Sequence, residues 1–248
     1  MALTSSDHGT TGTLASATAI AERIVAEARK QGRANLMEPE AKQICVAYGI
    51  PTPRFQIAQS PSQAASYAER FGFPVVLKIV SPDIVHKTEV GGVMVGLATK
   101  EQVEGAYREI IASVTKHAQN ARVIGVLVQS MIMAGVEVIV GGLRDSQFGP
   151  TVLFGLGGVF VEVLKDASFR VAPITQLDSH QMIHEIRGYE LLKGVRGHPA
   201  SDEEAIVQIL QATSRIMLDN SQIQELDLNP VIVHARGAVV ADARILLG

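Results

Sequence analysis

The sequence predicts an α+β molecule of two lobes. Short β-branched runs and amphipathic helical stretches interleave along it, without the strict strand–helix–strand beat of a doubly wound sheet. With 47% apolar residues, 4% aromatic and no Trp, its 248 residues supply a large core of Val, Ile, Leu and Ala.

The elements follow in order. Residues 1–15 are small, polar and Gly/Thr-rich, which predicts a disordered tail ahead of a folded domain over 16–248. Ile20, Ile24, Val25 and Ala28 recur at helical spacing and predict a helix over 16–30. Glu38-Pro39-Glu40 opens a second helix, with acids and a proline in its first turn, ending near Gly49 before Pro51. Four further starts carry a capping residue with Glu or Gln three places on: Ser60…Gln63, Thr99…Gln102, Asp178…Gln181 and Ser201…Glu204. Between helices lie runs that read as strands: 55–58, 75–80, 93–97, 123–129, 136–141, 152–154, 160–164, 224–233 and 238–245.

Composition narrows the function classes. A formal net charge of -3 gives no basic field for nucleic acid. No apolar run approaches the length of a membrane-spanning helix, and no secretory signal is readable at the N-terminus. The single cysteine, Cys45, excludes an internal disulfide and fits a reducing cytoplasm.

Three stretches carry candidate chemistry. In 75–95, an apolar run delivers Lys78 at its end, a polar loop holds His86 and Lys87, and Gly91-Gly92 break the backbone before a second apolar run. A buried lysine needs an anion, either a surface carboxylate or a ligand. The paired glycines favour the ligand, because they allow close backbone approach to a polyphosphate. No Walker A motif occurs, and the Gly-Leu-Gly-Gly at 155–158 reads as a tight turn rather than a dinucleotide fingerprint. At the far end, Glu225, Asp227 and Asn229 share one face of a strand, with Leu226 and Leu228 on the other. A turn at 235–237 and a returning strand place Asp242 opposite or diagonal to Asn229, with no compensating cation on that face. Such hard oxygens suit Mg²⁺, with phosphates completing its shell. Between these ends, 129–135 reads as a connector whose backbone and methionines suit a flat ring, or simply as a core link; Glu137 after it is a plausible acceptor for ribose hydroxyls.

These pieces, in this order, resemble the ATP-grasp fold, and more narrowly the β subunit of ADP-forming acyl-CoA synthetases of the acetate–CoA ligase type, relatives of succinyl-CoA synthetase. The stretches that carry the resemblance are LMEPEAKQICVAYGIPTP (36–53), VVLKIVSPDIVHKTEVGGV (75–93), RDSQFGPTVLFGLGGVFVEVLKD (144–166), ELLKGVRGHPASD (190–202) and ELDLNPVIV (225–233). The resemblance implies two lobes enclosing a nucleotide cleft, with a hinge near 129–132. It implies that Lys78 contacts nucleotide phosphates, while Lys87 and the amides around Gly91 and Gly92 close over them. Gln129, Met131 and Ile132 would meet adenine, and Glu137 would hold the ribose. Asn229 and Asp242 would bind Mg²⁺, supported by Asp227. His86, in His86-Lys87-Thr88, matches a histidine thought to share in a phosphohistidine relay. The implied cofactors are ATP/ADP and Mg²⁺. The implied partner is a CoA-binding α subunit in an α2β2 heterotetramer, through which the carboxylic acid and CoA are bound. The resemblance gives no role to Arg187, Lys193 or Arg196, which read as a solvated face or a docking surface, and leaves Glu162 and Asp166 as candidates for the cleft. The alternatives are a non-catalytic nucleotide-binding partner subunit and a stand-alone carboxylate–amine ligase, which would need a further substrate-binding domain.

Overall fold

The computed structural model describes residues 8–84, 86–157, 166–194 and 199–248, with backbone alone for 8–14. The chain opens with α1 (His8–Lys30) and α2 (Glu38–Ala47), followed by β1 (Phe55–Ala58), α3 (Pro61–Phe71) and β2 (Val75–Val80). A 3₁₀ turn (Lys87–Val90), β3 (Val93–Leu97), α4 (Lys100–His117) and β4 (Gly125–Ser130) come next. Then follow β5 (Val136–Asp145), β6 (Gly149–Leu156), β7 (Ala167–Val171), α5 (Gln176–Glu185) and the short α6 (Tyr189–Leu192). The chain closes with α7 (Glu203–Asp219), β8 (Ile223–Val233), β9 (Ala238–Val240) and β10 (Ala243–Leu247). Two compact units result: Met37–Pro39 with Thr52–Ala134, and the chain up to Leu36 with Glu40–Pro51 and Gly135–Gly248.

The smaller unit is a four-stranded antiparallel sheet in the order β1-β4-β2-β3. Helices α3 and α4 turn Ala64, Ala65, Ala68, Val103, Ile110 and Val114 onto Leu77, Ile79, Val126 and Val128. Both helices start where the capping pattern places them. The Ser60 hydroxyl accepts from the Gln63 amide at 3.2 Å, and that of Thr99 from the Gln102 amide at 3.3 Å. The glutamines reach one residue further back than a capping box requires, accepting from the amides of Gln59 and Ala98. Every residue of β2 is buried, as befits a strand paired on both edges.

The larger unit is an antiparallel sheet in the order β10-β8-β5-β6-β7, with β9 also paired to β8. Helix α7 lies on β5, β6 and β8, burying Ile206, Val207, Leu210 and Met217 against Val140, Val152 and Phe154. Each large apolar side chain fully buried on this face contributes roughly 1.5–3 kcal/mol to the unit's stability. Helix α1 adds Ala17, Ala21, Val25 and Ala28, and α2 adds Ala41, Ile44 and Cys45. Burial pushes the Cys45 thiol up to about 12, partly opposed by the charge of Lys42. Lys42 is itself fully buried, its Nζ donating to the Ala241 carbonyl at 2.9 Å.

Several elements differ from the sequence reading. Helix α1 begins at His8, ahead of residue 16 and inside the segment read as tail. Strand β7 has no counterpart in that reading, because Ala167–Val171 is short and carries Ser168 and Arg170 between its apolar positions. Two caps move. Thr175, not Asp178, caps α5, with Asp178 as the third residue of a full capping box; Asp202, not Ser201, caps α7. The returning strand over 238–245 is broken into β9 and β10, and the break holds Asp242. The strand expected over 160–164 and the residues Glu162 and Arg196 lie outside the described residues.

Candidate functional site

In the smaller unit, Lys78 does not end its strand. It sits inside β2, paired with Leu127 on one side and Val93 on the other, and is 8% exposed. An ammonium so placed requires a charged partner. The partner is Glu38, in the first turn of α2, whose Oε1 lies 2.7 Å from Lys78 Nζ. Lys87 Nζ stands 3.0 Å from the other oxygen of the same carboxylate. Sequence reasoning missed Glu38, treating it as a helix-opening acid; its separation of 40 residues from Lys78 left no local signal.

The loop after β2 is held by its own backbone. Gly92 N donates to the Lys87 carbonyl at 2.7 Å and Gly91 N to the Thr88 carbonyl at 3.1 Å. Gly91 is left-handed (φ 66), and a Cβ on Gly92 would stand 2.5 Å from Ile79 Cγ2 and 2.8 Å from the Lys87 carbonyl. Internal packing therefore demands glycine here. His86 precedes the 3₁₀ turn, is exposed, and makes no side-chain cap to it.

Of the connector residues, Gln129 is buried on β4, between Phe55 and Val76. Met131 donates its amide to the Pro74 carbonyl at 3.1 Å and exposes its side chain, leaving the thioether open to a flat partner. Ile132 is half-buried, and the boundary between the units falls after it, at Ala134/Gly135. Glu137 is exposed on β5, in the larger unit.

In the larger unit, β8 alternates as expected: Leu226 and Leu228 are buried, Glu225 and Asp227 half-buried, Asn229 exposed. Asn229 N donates to the Asp242 carbonyl at 3.2 Å, and Ala241 N to the Pro230 carbonyl at 2.9 Å. The break between β9 and β10 is thus stitched to β8 beside Asn229, and Asp242 becomes its neighbour. The face is not without a cation: Arg244 stands opposite Asp227 in the strand pairing. Burial, and then the Glu225 carboxylate, nonetheless hold Asp227 above the usual carboxylate range, with Arg244 opposing. Two carboxylates and an amide oxygen, one carboxylate short of positive charge, fit a hard divalent cation such as Mg²⁺. Among the described residues no group of three His, Cys, Asp or Glu forms a ligand set, so any such site depends on the Asn229 oxygen or on a ligand.

Asp166 serves the fold, since its two carboxylate oxygens accept from the amides of Arg187 and Gly188 at 2.8 and 2.7 Å. Lys193 pairs with Glu190 at 2.6 Å on an exposed helical turn, and Arg187 is exposed. A further cluster has no local signature in the sequence. His180 Nδ1 and His184 Nε2 contact Glu203 Oε1 at 2.8 and 2.9 Å, and the Tyr189 hydroxyl donates to Oε2 at 3.2 Å, tying α5, α6 and α7 together.

Residues 27–247 match the family model described as the ATP-grasp domain, and the chain belongs to that family. Within it, the chain sits with the β subunits of ADP-forming acetate–CoA ligases. It is 43% identical to the acetate–CoA ligase [ADP-forming] I subunit beta of Pyrococcus furiosus, over 92% of this chain and 97% of that one. A dinucleotide-forming acetyl-coenzyme A synthetase 1 from Ca. Korarchaeum cryptofilum, solved with coenzyme A, Ca-AMPCP and HgCl⁺, superimposes with a TM-score of 0.90 at 50% identity, covering 92% of this chain and all (100%) of that chain. The selenomethionine derivative of that enzyme, in complex with coenzyme A and Mg-AMPPCP and with its phosphohistidine segment pointing towards the nucleotide binding site, gives 0.82 at 47% identity, with 92% and 100% covered. Among the described residues no helix is long and apolar enough to cross a membrane.

Proposed function

We propose that this chain is the nucleotide-binding β subunit of an ADP-forming acyl-CoA synthetase, catalysing acid + CoA + ATP ⇌ acyl-CoA + ADP + phosphate with a CoA-binding α subunit. The observation that carries the reading is the extent of the likeness: the chain aligns with nearly the whole of a β subunit, 97% of its length, rather than with a fragment. The same reading gives an α2β2 assembly in the cytoplasm.

The role of each residue then follows from its chemistry. Lys78 and Lys87 neutralise the nucleotide phosphates and orient the terminal one, which is most of what phosphoryl transfer needs from a protein. Gly91 and Gly92 let the loop that carries Lys87 lie against the sheet. Gln129, Met131 and Ile132 receive the adenine, and Glu137 the ribose. Asn229 and Asp242 would hold Mg²⁺, with Asp227 behind them, and the bound ion would neutralise phosphate charge. His86, exposed and not engaged in capping its turn, is available as a nucleophile. Its imidazole nitrogen bonds to the terminal phosphorus while the bond to the bridging oxygen breaks and ADP leaves. The phosphoryl group then passes to the phosphohistidine of the α subunit and from it to the carboxylate of the acid, giving an acyl phosphate; the CoA thiol attacks the acyl carbon, phosphate leaves, and acyl-CoA is formed.

The test is reconstitution. With ATP, Mg²⁺, CoA and a carboxylic acid, acyl-CoA and ADP form only when both subunits are present; synthesis by this chain alone would end the subunit reading. In the reconstituted enzyme His86→Ala lowers turnover by at least about a hundredfold, within the range such groups contribute. Near wild-type turnover would rule out an obligatory relay through His86.

A further inference from the structure

The phosphate-binding lysines come from supports of different stiffness. Lys78 belongs to β2, a buried strand with neighbours on both edges. Lys87 belongs to a four-residue 3₁₀ turn with no buried residue, in the loop that leaves that strand. Both ammonium groups meet one carboxylate, Glu38, with Oε1 2.7 Å from Lys78 and Oε2 3.0 Å from Lys87. The Glu38 side chain is 3% exposed, against 10% and 19% for the lysines. Two ammonium groups this close repel one another, and more strongly away from bulk water. A carboxylate between them turns that repulsion into two charge-assisted contacts. Being buried, Glu38 does so from a fixed position, and its place in the first turn of α2 favours its charge.

We propose that Glu38 is the positioning residue of the phosphate site: it clamps the loop lysine, Lys87, beside the sheet lysine, Lys78, before nucleotide arrives. Glu38 touches no substrate in this scheme; it acts through the two lysines. The scheme deepens the nucleotide-site reading and rests on it for the identity of the ligand, but the clamp itself exists in the free chain and can be tested there.

The experiment uses the full chain and two readouts. Hydrogen exchange over residues 86–92 in the ligand-free protein reports the clamp. Calorimetry with tripolyphosphate, Mg·ATP and adenosine reports the phosphate site. Glu38→Gln keeps the shape and removes the charge; we expect loop exchange to quicken about tenfold and affinity for tripolyphosphate and ATP to fall about tenfold, with adenosine affinity unchanged. Glu38→Asp recovers part of both. Unchanged loop exchange, unchanged phosphate affinity, or tighter binding by Glu38→Gln would overturn the proposal, the last because Glu38 would then be a competitor for the lysines. An equal loss of adenosine affinity would also overturn it, as a merely structural effect. Should Glu38→Gln fail to fold, Lys87→Met removes the loop end of the same clamp and must quicken exchange as much; if it does not, the clamp is refuted. A wild-type chain that binds neither tripolyphosphate nor ATP would refute the nucleotide reading instead, and the exchange arm would still judge the clamp.

Discussion

Burial and the Glu225 carboxylate hold Asp227 above the ordinary carboxylate range, and Arg244 only partly opposes them. With the folded value raised, the stabilising form is the protonated one. Its contribution is full at acid pH and lost as pH rises through the folded value, so at neutral pH the ionised group opposes folding. Asp227→Asn is therefore expected to raise the melting temperature of the metal-free chain at pH 7. It should also raise the Mg²⁺ concentration needed for nucleotide binding by about tenfold, as loss of a residue behind a metal ligand commonly does. A melting curve without metal and a Mg²⁺ titration with ATP check the two halves separately. At this scale the placement of side chains was legible where it depended on local pattern. The positions of Asn229 and Asp227 along β8, and of Asp242 beside Asn229, follow from strand alternation and one turn. Arg244 and Glu38 did not, because both act across the fold: one through a strand register, the other over 40 residues.

Helix α7 begins at a residue that also fastens a turn. Asp202 accepts from the Ala205 amide at 3.1 Å with one oxygen and from the Gly237 amide at 2.7 Å with the other. These amides, Gly237 first, draw its carboxyl below the ordinary 3.8. A depressed folded value means stability that is present above the unfolded value and lost as pH falls through the folded one. Asp202→Ala should cost about 1–2 kcal/mol in urea unfolding at pH 7, as a lost N-cap does, and that deficit should shrink below pH 3.8. Ser201 beside it has equal credentials as a cap, with Glu204 three places on, which is why sequence alone chose the wrong neighbour. The contact with Gly237 decides between them, and no local pattern contains it. The same limit hid the break between β9 and β10. Residues 238–245 read as one strand because six of the eight are apolar or small enough to pair; the interruption comes from Ala241 and Asp242 bonding back to Pro230 and Asn229.

On the scale of the molecule, the chain divides into two compact units, with Lys78 and Lys87 in one and Asn229 and Asp242 in the other. Their order in the sequence was enough to recognise the family, because the local motifs survive intact. The architecture around them, two antiparallel sheets of different order, was not legible, since strand order depends on pairings between distant segments. A last consequence concerns Cys45, the only cysteine in the chain. Fully buried in α2, with its thiol pushed up to about 12, it has neither the access nor the thiolate that modification requires. It is therefore an intrinsic reporter of opening, needing no engineered label. A disulfide reagent at pH 8 should leave the native chain untouched and react as urea unfolds it. Saturating Mg·ATP should slow that reaction about a hundredfold at a ligand concentration 100 times its Kd, because each labelling event must first release the nucleotide. Rapid labelling of the native chain would mean that α2 opens on its own, independently of the rest of its unit.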